Sequence, residues 1–154
     1  MLARRPGLAD LRRFLGQLGR PTRLSAVRSA VDGVVVARTL KRRGAGPFLA
    51  ADPPPTVRHD PVRALGVSAA VDSGLALVPM APTCLRRSLT LVRELHRLGL
   101  AATLHIGVRK VAGRVEAHAW VQVGDTVVND DLDQTTTYTE LAVGHWGRLP
   151  ATLR

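Results

Sequence analysis

Residues 83–99 read TCLRRSLTLVRELHRLG, and they contain the clearest helix pattern of the 154-residue chain. Apolar and small side chains recur there at helical spacing, so they share one face. The residues of this face are Leu85, Ser88, Leu89, Val92 and Leu95. The arginines expected to point elsewhere are Arg86, Arg93 and Arg97. With Gly99 at the C-terminal stop, the pattern predicts an amphipathic helix that begins at Cys84 and packs on a core.

A small β-meander is predicted to follow this helix. Residues 101–108 alternate loosely between apolar and polar side chains, and residues 114–123 return after a turn. Gly124 and Asp125 then turn the chain into residues 126–129. Beyond Asp133 the sequence indicates only a polar tail, with Trp146 as an anchor.

The N-terminal region, residues 1–50, is basic and predicted to be helical. One amphipathic helix is predicted over residues 7–19, and a second begins near Pro21 and stops at Gly44 and Gly46. The predicted apolar face of the second helix consists of Leu24, Val27, Val31, Val34, Val35 and Leu40.

Residues 51–60 are rich in proline and are predicted to form a linker or surface loop. Asp60 as N-cap and Pro61 in the first turn open a further helix over residues 61–77. Residues 61–154 are therefore the predicted core domain. The expected fold class is α+β, in which N-terminal helices precede a helix packed on a small antiparallel sheet.

The composition excludes several classes of protein. A hydrophobic fraction of 45% argues against disorder, and Asp72, Pro79 and Pro82 interrupt the longest nearly uncharged stretch, so no membrane span is predicted. The net charge of +10 lies mostly in residues 1–43, but with 3% aromatic residues we expect no nucleic-acid partner. The single cysteine and the lack of an apolar signal segment predict a cytoplasmic protein.

Cys84 is the first candidate functional residue. It follows Pro82 and Thr83 at the start of a helix, where unpaired backbone N–H groups and the helix dipole favour a thiolate. The same N–H groups could stabilise an oxyanion. A lone cysteine is more often an inert core residue, so this placement alone does not establish catalysis.

A cysteine nucleophile needs a base from another element and a group that orients the base. His118 lies in a strand-like run between two alanines, which leave room beside its imidazole. In a hairpin with a three-residue loop, Asp130 lies opposite His118. A two-residue loop instead offers Asp131, with Asn129 diagonal to His118. Spacing does not choose among these three residues.

The order of cysteine at a helix start, then histidine and aspartate on a meander, resembles the transglutaminase-like, papain-related cysteine enzymes. A narrower resemblance covers residues 60–133. The strings that carry it are Cys84-Leu85-Arg86-Arg87-Ser88-Leu89, Leu95-His96-Arg97-Leu98-Gly99, Leu104-His105-Ile106-Gly107-Val108-Arg109, Ala117-His118-Ala119-Trp120-Val121 and Val128-Asn129-Asp130. Together they are similar to the leader peptidase of lasso-peptide biosynthesis, the protease half of the split B protein.

This resemblance implies a catalytic triad of Cys84, His118 and Asp130. It also implies that the substrate is a ribosomally made precursor, whose leader is removed so that a separate ATP-dependent cyclase can act on the core. A small separate leader-binding protein is the implied partner. No cofactor or metal is expected, since His59, His96, His105 and His145 lack ligand spacing and nearby acidic or cysteine partners.

Two other readings remain open at the level of sequence. The same triad could transfer an acyl group to an amine, as in transglutaminases or arylamine acetyltransferases. Alternatively, the chain is a non-catalytic scaffold with an inert thiol, and its arginine-rich helices hold an acidic partner.

Overall fold

The computed structural model describes residues 20–49, 58–81 and 83–144. Its helices are α1 (Arg20–Arg43), α2 (Gly46–Leu49), α3 (Pro61–Ala76), α4 (Cys84–Arg97) and α5 (Leu132–Thr135). Its strands are β1 (Thr103–Val111), β2 (Arg114–Val123), β3 (Thr126–Val127) and β4 (Thr139–Gly144). The predicted α+β class is confirmed. The helix predicted over residues 7–19 and the Trp146 anchor lie outside the described residues, as does most of the predicted linker.

Side chains cap the two helices of the predicted core. Asp60 accepts a hydrogen bond from the backbone N–H of Arg63 at 2.9 Å, which makes it the N-cap of α3. Thr83 does the same for α4 by accepting from the N–H of Arg86 at 3.2 Å. Gly99, with φ of +68°, follows the end of α4. These helix boundaries confirm the sequence prediction.

The apolar face predicted for α1 is wrong for four of its six residues, whereas Leu40 packs against the core as predicted. Leu24 and Val31 are 75% and 59% exposed, and Val27 and Val35 also face solvent. The buried face consists of Ala26, Ser29, Asp32, Gly33 and Val36. Small residues are buried there because α1 and α3 approach closely: a Cβ on Gly74 of α3 would lie 2.3 Å from the carbonyl oxygen of Ala26.

Ion pairs join α1 to α4. Asp32 of α1 is buried and accepts hydrogen bonds from Arg97, while Arg93 lies 3.5 Å away. Glu94 is also buried and pairs with Arg97 at 2.8 Å and with Arg28 at 3.7 Å. Burial and the neighbouring Asp32 raise the pKa of Glu94 to about 7. At neutral pH Glu94 is therefore only partly ionised, which lessens the repulsion between its carboxyl group and that of Asp32.

The same core contains residues from both sides of the predicted linker. Val36 of α1 and Phe48 of α2 belong to one buried cluster with Leu89, Leu95 and Val121. The division into residues 1–50, 51–60 and 61–154 stays a prediction. Arg86 was expected to lie away from the core, but it is buried, and a hydrogen bond from its guanidinium to the carbonyl oxygen of Met80 at 3.0 Å offsets part of the cost of burying the charge.

The sheet has the strand order β3-β2-β1-β4, and all its pairs are antiparallel. Strand β4 corrects the sequence prediction, which has only a polar tail beyond Asp133. These residues instead pair with the second edge of β1, from Val108↔Thr139 to Leu104↔Gly144. A six-residue edge strand whose first three residues, Thr139, Glu140 and Leu141, are exposed carries too little apolar patterning to be recognised from its own sequence.

Alternation along β1 and β2 divides the sheet into two faces. Leu104 and Ile106 of β1, with Ala119 and Val121 of β2, pack into the core that contains α4. Their strand neighbours point to the opposite face. On that face the partners across the strands are His105↔Trp120, Gly107↔His118 and Arg109↔Glu116. His118 therefore lies on the face that α4 does not cover.

The contact between α1 and α3 predicts opposite effects for two glycines of α3. Gly74→Ala is expected to lower the free energy of unfolding by about 2 kcal/mol or more, because the new methyl group meets backbone atoms of α1. Gly66→Ala, whose Cβ has no atom within 4 Å, is expected to raise it by about 0.5–1 kcal/mol through helix propensity. Urea unfolding of the two variants measures both. Equal stabilities would contradict the close approach of α1 and α3.

Candidate active site

Cys84 is the first residue of α4, and its thiol is free and half-buried against the core. The hydroxyl oxygen of Thr83 accepts a hydrogen bond from the amide of Arg86. The amides of Cys84 and Leu85 have no acceptor within the helix. A reacting group placed beside the sulfur would thus meet backbone donors and the positive end of the helix dipole. The placement of the cysteine at a helix start is as predicted.

His118 lies on β2 and is paired with Asp130. Nε2 of the imidazole is hydrogen-bonded to Oδ2 of the carboxylate, and the two side chains are 19% and 18% exposed. The other carboxylate oxygen accepts the backbone N–H of Asp131 at 2.8 Å. A carboxylate on Nε2 fixes the tautomer of the ring and leaves Nδ1 as the nitrogen for proton transfer.

The hairpin brings Asp130 to His118 by a route that spacing did not predict. Its loop has two residues, since Val123 pairs with Thr126. A regular continuation of that register would place Asp131 opposite His118. The ladder instead ends after Val128, whose N–H donates to the carbonyl oxygen of Val121 at 3.0 Å. The chain then leaves the strand direction, and Asp130 reaches the imidazole.

Asn129 causes this departure. Its side-chain oxygen accepts the N–H of Val121 at 2.8 Å and so takes the place of a strand partner. Its side-chain nitrogen donates to Oγ of Ser88 at 2.9 Å, and Ser88 donates to the carbonyl oxygen of Ala119 at 2.9 Å. The three residues Ser88, Ala119 and Asn129 are buried. We call them, together with the N–H of Val121, the Ser88–Asn129 network.

The Ser88–Asn129 network fixes the start of α4 against β2. Ser88 lies one turn after Cys84 on α4, and Ala119 directly follows His118 on β2. Arg87 adds a further contact, because its guanidinium donates to the carbonyl oxygen of Asn129 and pairs with Asp72 of α3 at 2.5 and 2.6 Å. The helix end that bears the cysteine is therefore anchored at the free edge of β2 beside Ala119, while the side chain of His118, the preceding residue, points to the opposite face of the sheet.

Of the three predicted catalytic residues, the structure pairs two directly. Among the described residues, Cys84 forms no hydrogen bond with His118. Hydrogen bonds between a nucleophile and its base are often long in the absence of substrate and shorten when substrate binds. Cys84 therefore stays a candidate nucleophile although it forms no hydrogen bond with His118. The catalytic role of the three residues stays a prediction.

One histidine differs from expectation, and the environment of a second is now defined. His105 was predicted to lack an acidic partner, but Nδ1 of its buried ring lies 2.5 Å from a carboxylate oxygen of Glu140. Glu140 could not be found from sequence because it belongs to the unpredicted strand β4. His96 is half-buried, with Nε2 3.2 Å from the carbonyl oxygen of Ala102. Within the described ranges, no group of three or more His, Cys, Asp or Glu residues could hold a metal ion.

Comparison with known proteins agrees with this architecture. A family model described as the transglutaminase-like superfamily matches residues 22–143. The chain belongs to this superfamily. No curated protein and no solved structure matches it.

The transglutaminase-like superfamily generally contains cysteine-dependent enzymes. The match begins in α1 and ends in β4, so it extends beyond residues 60–133, where the motifs lie. Both α1 and β4 are thus part of the superfamily's core in this chain. No described helix is long and apolar enough to cross a membrane.

The Ser88–Asn129 network predicts a large cost for removing the Asn129 side chain. Asn129→Ala leaves the buried N–H of Val121 without an acceptor, so we expect the free energy of unfolding to fall by about 2–3 kcal/mol. Gln134→Ala, at an exposed position in the same segment, is the control and is expected to change stability by less than about 0.5 kcal/mol. Chemical unfolding measures both. A loss for Asn129→Ala as small as the control's would contradict the role of this network.

Proposed function

We propose that this chain is a cysteine peptidase that removes the leader from a ribosomally synthesised lasso-peptide precursor through Cys84, His118 and Asp130. The observation that carries the proposal is the His118–Asp130 pair on the strand against which the helix beginning with Cys84 is anchored. Membership of a superfamily of cysteine-dependent enzymes supports the reaction class. The motifs shared with lasso leader peptidases support the substrate.

In the proposed reaction, the thiolate of Cys84 attacks the carbonyl carbon of the scissile peptide bond. The amides of Cys84 and Leu85 stabilise the oxyanion of the tetrahedral intermediate. Protonated His118 gives a proton from Nδ1 to the leaving amine, which departs as the freed core peptide, and a thioester remains on the sulfur.

Neutral His118 then takes a proton from a water molecule that attacks the thioester. The leader leaves as a carboxylic acid, and the thiolate–imidazolium pair is restored. Asp130 holds Nε2 through both steps and stabilises the imidazolium. The freed α-amine is the group that a separate ATP-dependent cyclase would use.

The proposed partners follow from the same motifs. A small separate leader-binding protein would deliver the precursor, because the described residues 20–49 are helical and offer no edge strand to which an extended leader could add. We also propose that the reaction takes place in the cytoplasm, where the precursor is made.

The direct test is cleavage. The full chain is incubated with a lasso-peptide precursor and the leader-binding protein that recognises it, and the products are weighed by mass spectrometry. We expect free leader and free core, and Cys84→Ala is expected to abolish both while binding the precursor unchanged. Cleavage by Cys84→Ala at the wild-type rate would refute the assignment of the nucleophile.

The same measurement separates hydrolysis from acyl transfer, the alternative that the superfamily name keeps open. The thioester is common to both reactions, and only the acceptor differs. Free leader with a C-terminal carboxylate indicates water. A leader joined to an added amine would show that the enzyme is a transferase.

Alkylation of the native protein separates an enzyme from a scaffold with an inert thiol. Cys84 is the single cysteine of the sequence, so iodoacetamide reports on it alone. A thiolate paired with imidazolium is expected to react about tenfold faster at pH 6 than free cysteine does. His118→Ala is expected to remove this excess. Labelling of the wild type no faster than that of free cysteine would favour the scaffold.

A further inference from the structure

Three aromatic rings cluster on the sheet face that α4 does not cover. The ring centroids of His118 and Tyr138 are 5.0 Å apart with 29° between their planes, and those of His118 and Trp120 are 6.1 Å apart. Trp120 and Tyr138 lie 6.3 Å apart, so the three rings form a triangle. On the far side, Trp120 stacks on His105 at 5.5 Å. The candidate base is thus one member of a packed aromatic group.

Gly107 makes room for this group. It is the partner of His118 across β1 and β2, directly beneath the rings. A Cβ on Gly107 would lie 2.8 Å from the Cβ of Tyr138 and 3.0 Å from the ring of Trp120. Any larger residue would push Tyr138 away from the imidazole. The packing of these rings thus explains why the motif Leu104-His105-Ile106-Gly107 ends in glycine. The proposed reaction by itself gives no reason for a glycine there.

Arg109 holds Tyr138 from its outer side. The guanidinium lies 4.6 Å from the centre of the tyrosine ring, within the range of a cation–π contact. It also pairs with Glu116 at 2.9 Å and donates to the hydroxyl of Thr137 at 3.2 Å. These contacts fix both the ring of Tyr138 and the chain beside it.

One segment delivers both contacts to His118. Residues 129–138 run from the end of β3 at one edge of the sheet to the start of β4 at the other. Asp130 stands at the start of this segment and Tyr138 at its end. In between, α5 is capped by Asp131, whose carboxylate accepts the N–H of Asp133 at 2.9 Å. The segment is thus anchored at both ends and ordered between them.

We propose that Tyr138 is a positioning residue for the imidazole of His118, a role that rests on the proposed function. The hydrogen bond to Asp130 fixes Nε2, but it leaves the ring able to tilt about that bond. Tyr138 covers one face of the ring and prevents the tilt, so that Nδ1 keeps one direction during proton transfer. Its apolar ring also keeps water from that face, which strengthens the pairing with Asp130.

The test measures the reactivity of Cys84 without any peptide substrate. Iodoacetamide labelling of the full chain is followed from pH 5 to pH 9 in the wild type, Tyr138→Ala, Tyr138→Phe and the exposed control Gln134→Ala. The charged groups near the imidazole are unchanged in all four proteins. They are Asp130, Arg109, Glu116, Arg87 and Glu140.

We expect Tyr138→Ala to lower the labelling rate at pH 6 about fivefold to tenfold, because fewer molecules hold the thiolate–imidazolium pair. At pH 9 cysteine thiols in general are largely ionised without a paired base, so the rate there should stay within about twofold of the wild type. Tyr138→Phe keeps the ring and is expected to restore the wild-type profile. A variant that merely loosened the fold would change the rates at both pH values.

Circular dichroism establishes which variants are folded. If Tyr138→Ala is unfolded, Tyr138→Leu, which keeps apolar volume without an aromatic ring, takes its place with the same expected loss at pH 6. A folded variant without the ring that keeps the wild-type rate at pH 6 would overturn the inference. If the wild type itself shows no excess labelling at pH 6, the proposed function fails, which is a different result.

Discussion

The buried hydrogen bonds between Ser88, Asn129 and the backbone of β2 are the interaction on which the candidate site depends. They satisfy the N–H of Val121 and the carbonyl group of Ala119 at the point where β3 has ended. Unpaired backbone groups at this buried position would cost a large part of the stability of a domain of this size. The donor to Ala119 comes from α4, and the acceptor for Val121 comes from the chain after β3. The same bonds therefore position both the cysteine helix and Asp130 relative to β2.

Local signals in the sequence were sufficient for the elements that bear the site. Asp60 is a strong N-cap, the helix that follows Pro82 and Thr83 ends at Gly99, and residues 114–123 return after a turn, so α3, α4 and β2 were predictable. The partner of His118 was not predictable from spacing. The side-chain oxygen of Asn129, and not a backbone carbonyl group, accepts the N–H of Val121, and this breaks the regular register of the hairpin. Asp130 came only from the resemblance to lasso leader peptidases.

The errors at α1 and β4 have a common physical origin. In both elements, the packing partner decided which residues are buried, and that partner lies far away in sequence. Periodicity predicted a valine-rich core face for α1. The close approach of Gly74 of α3 instead selects a face of small residues. Asp32 can be buried on this face because Arg97 compensates its charge. Strand β4 exists because β1 has a second edge to pair, which its own six residues do not reveal. The aromatic group around His118 was missed for the same reason, since Tyr138 reaches it from the start of β4.

The shortness of β3 follows from these constraints. A β3 that continued past Val127 in regular register would pair with β2 as far as His118 and occupy the edge where Ser88 now binds Ala119. The start of α4 would then lose its anchor, and the chain could not cross the sheet to bring Asp130 and Tyr138 to the imidazole. A two-residue strand therefore leaves the edge of β2 free for α4 and gives residues 129–138 the length to cover the opposite face. In this molecule the candidate site lies where regular sheet pairing stops, because only there can a helix end and a crossing segment meet the same strand.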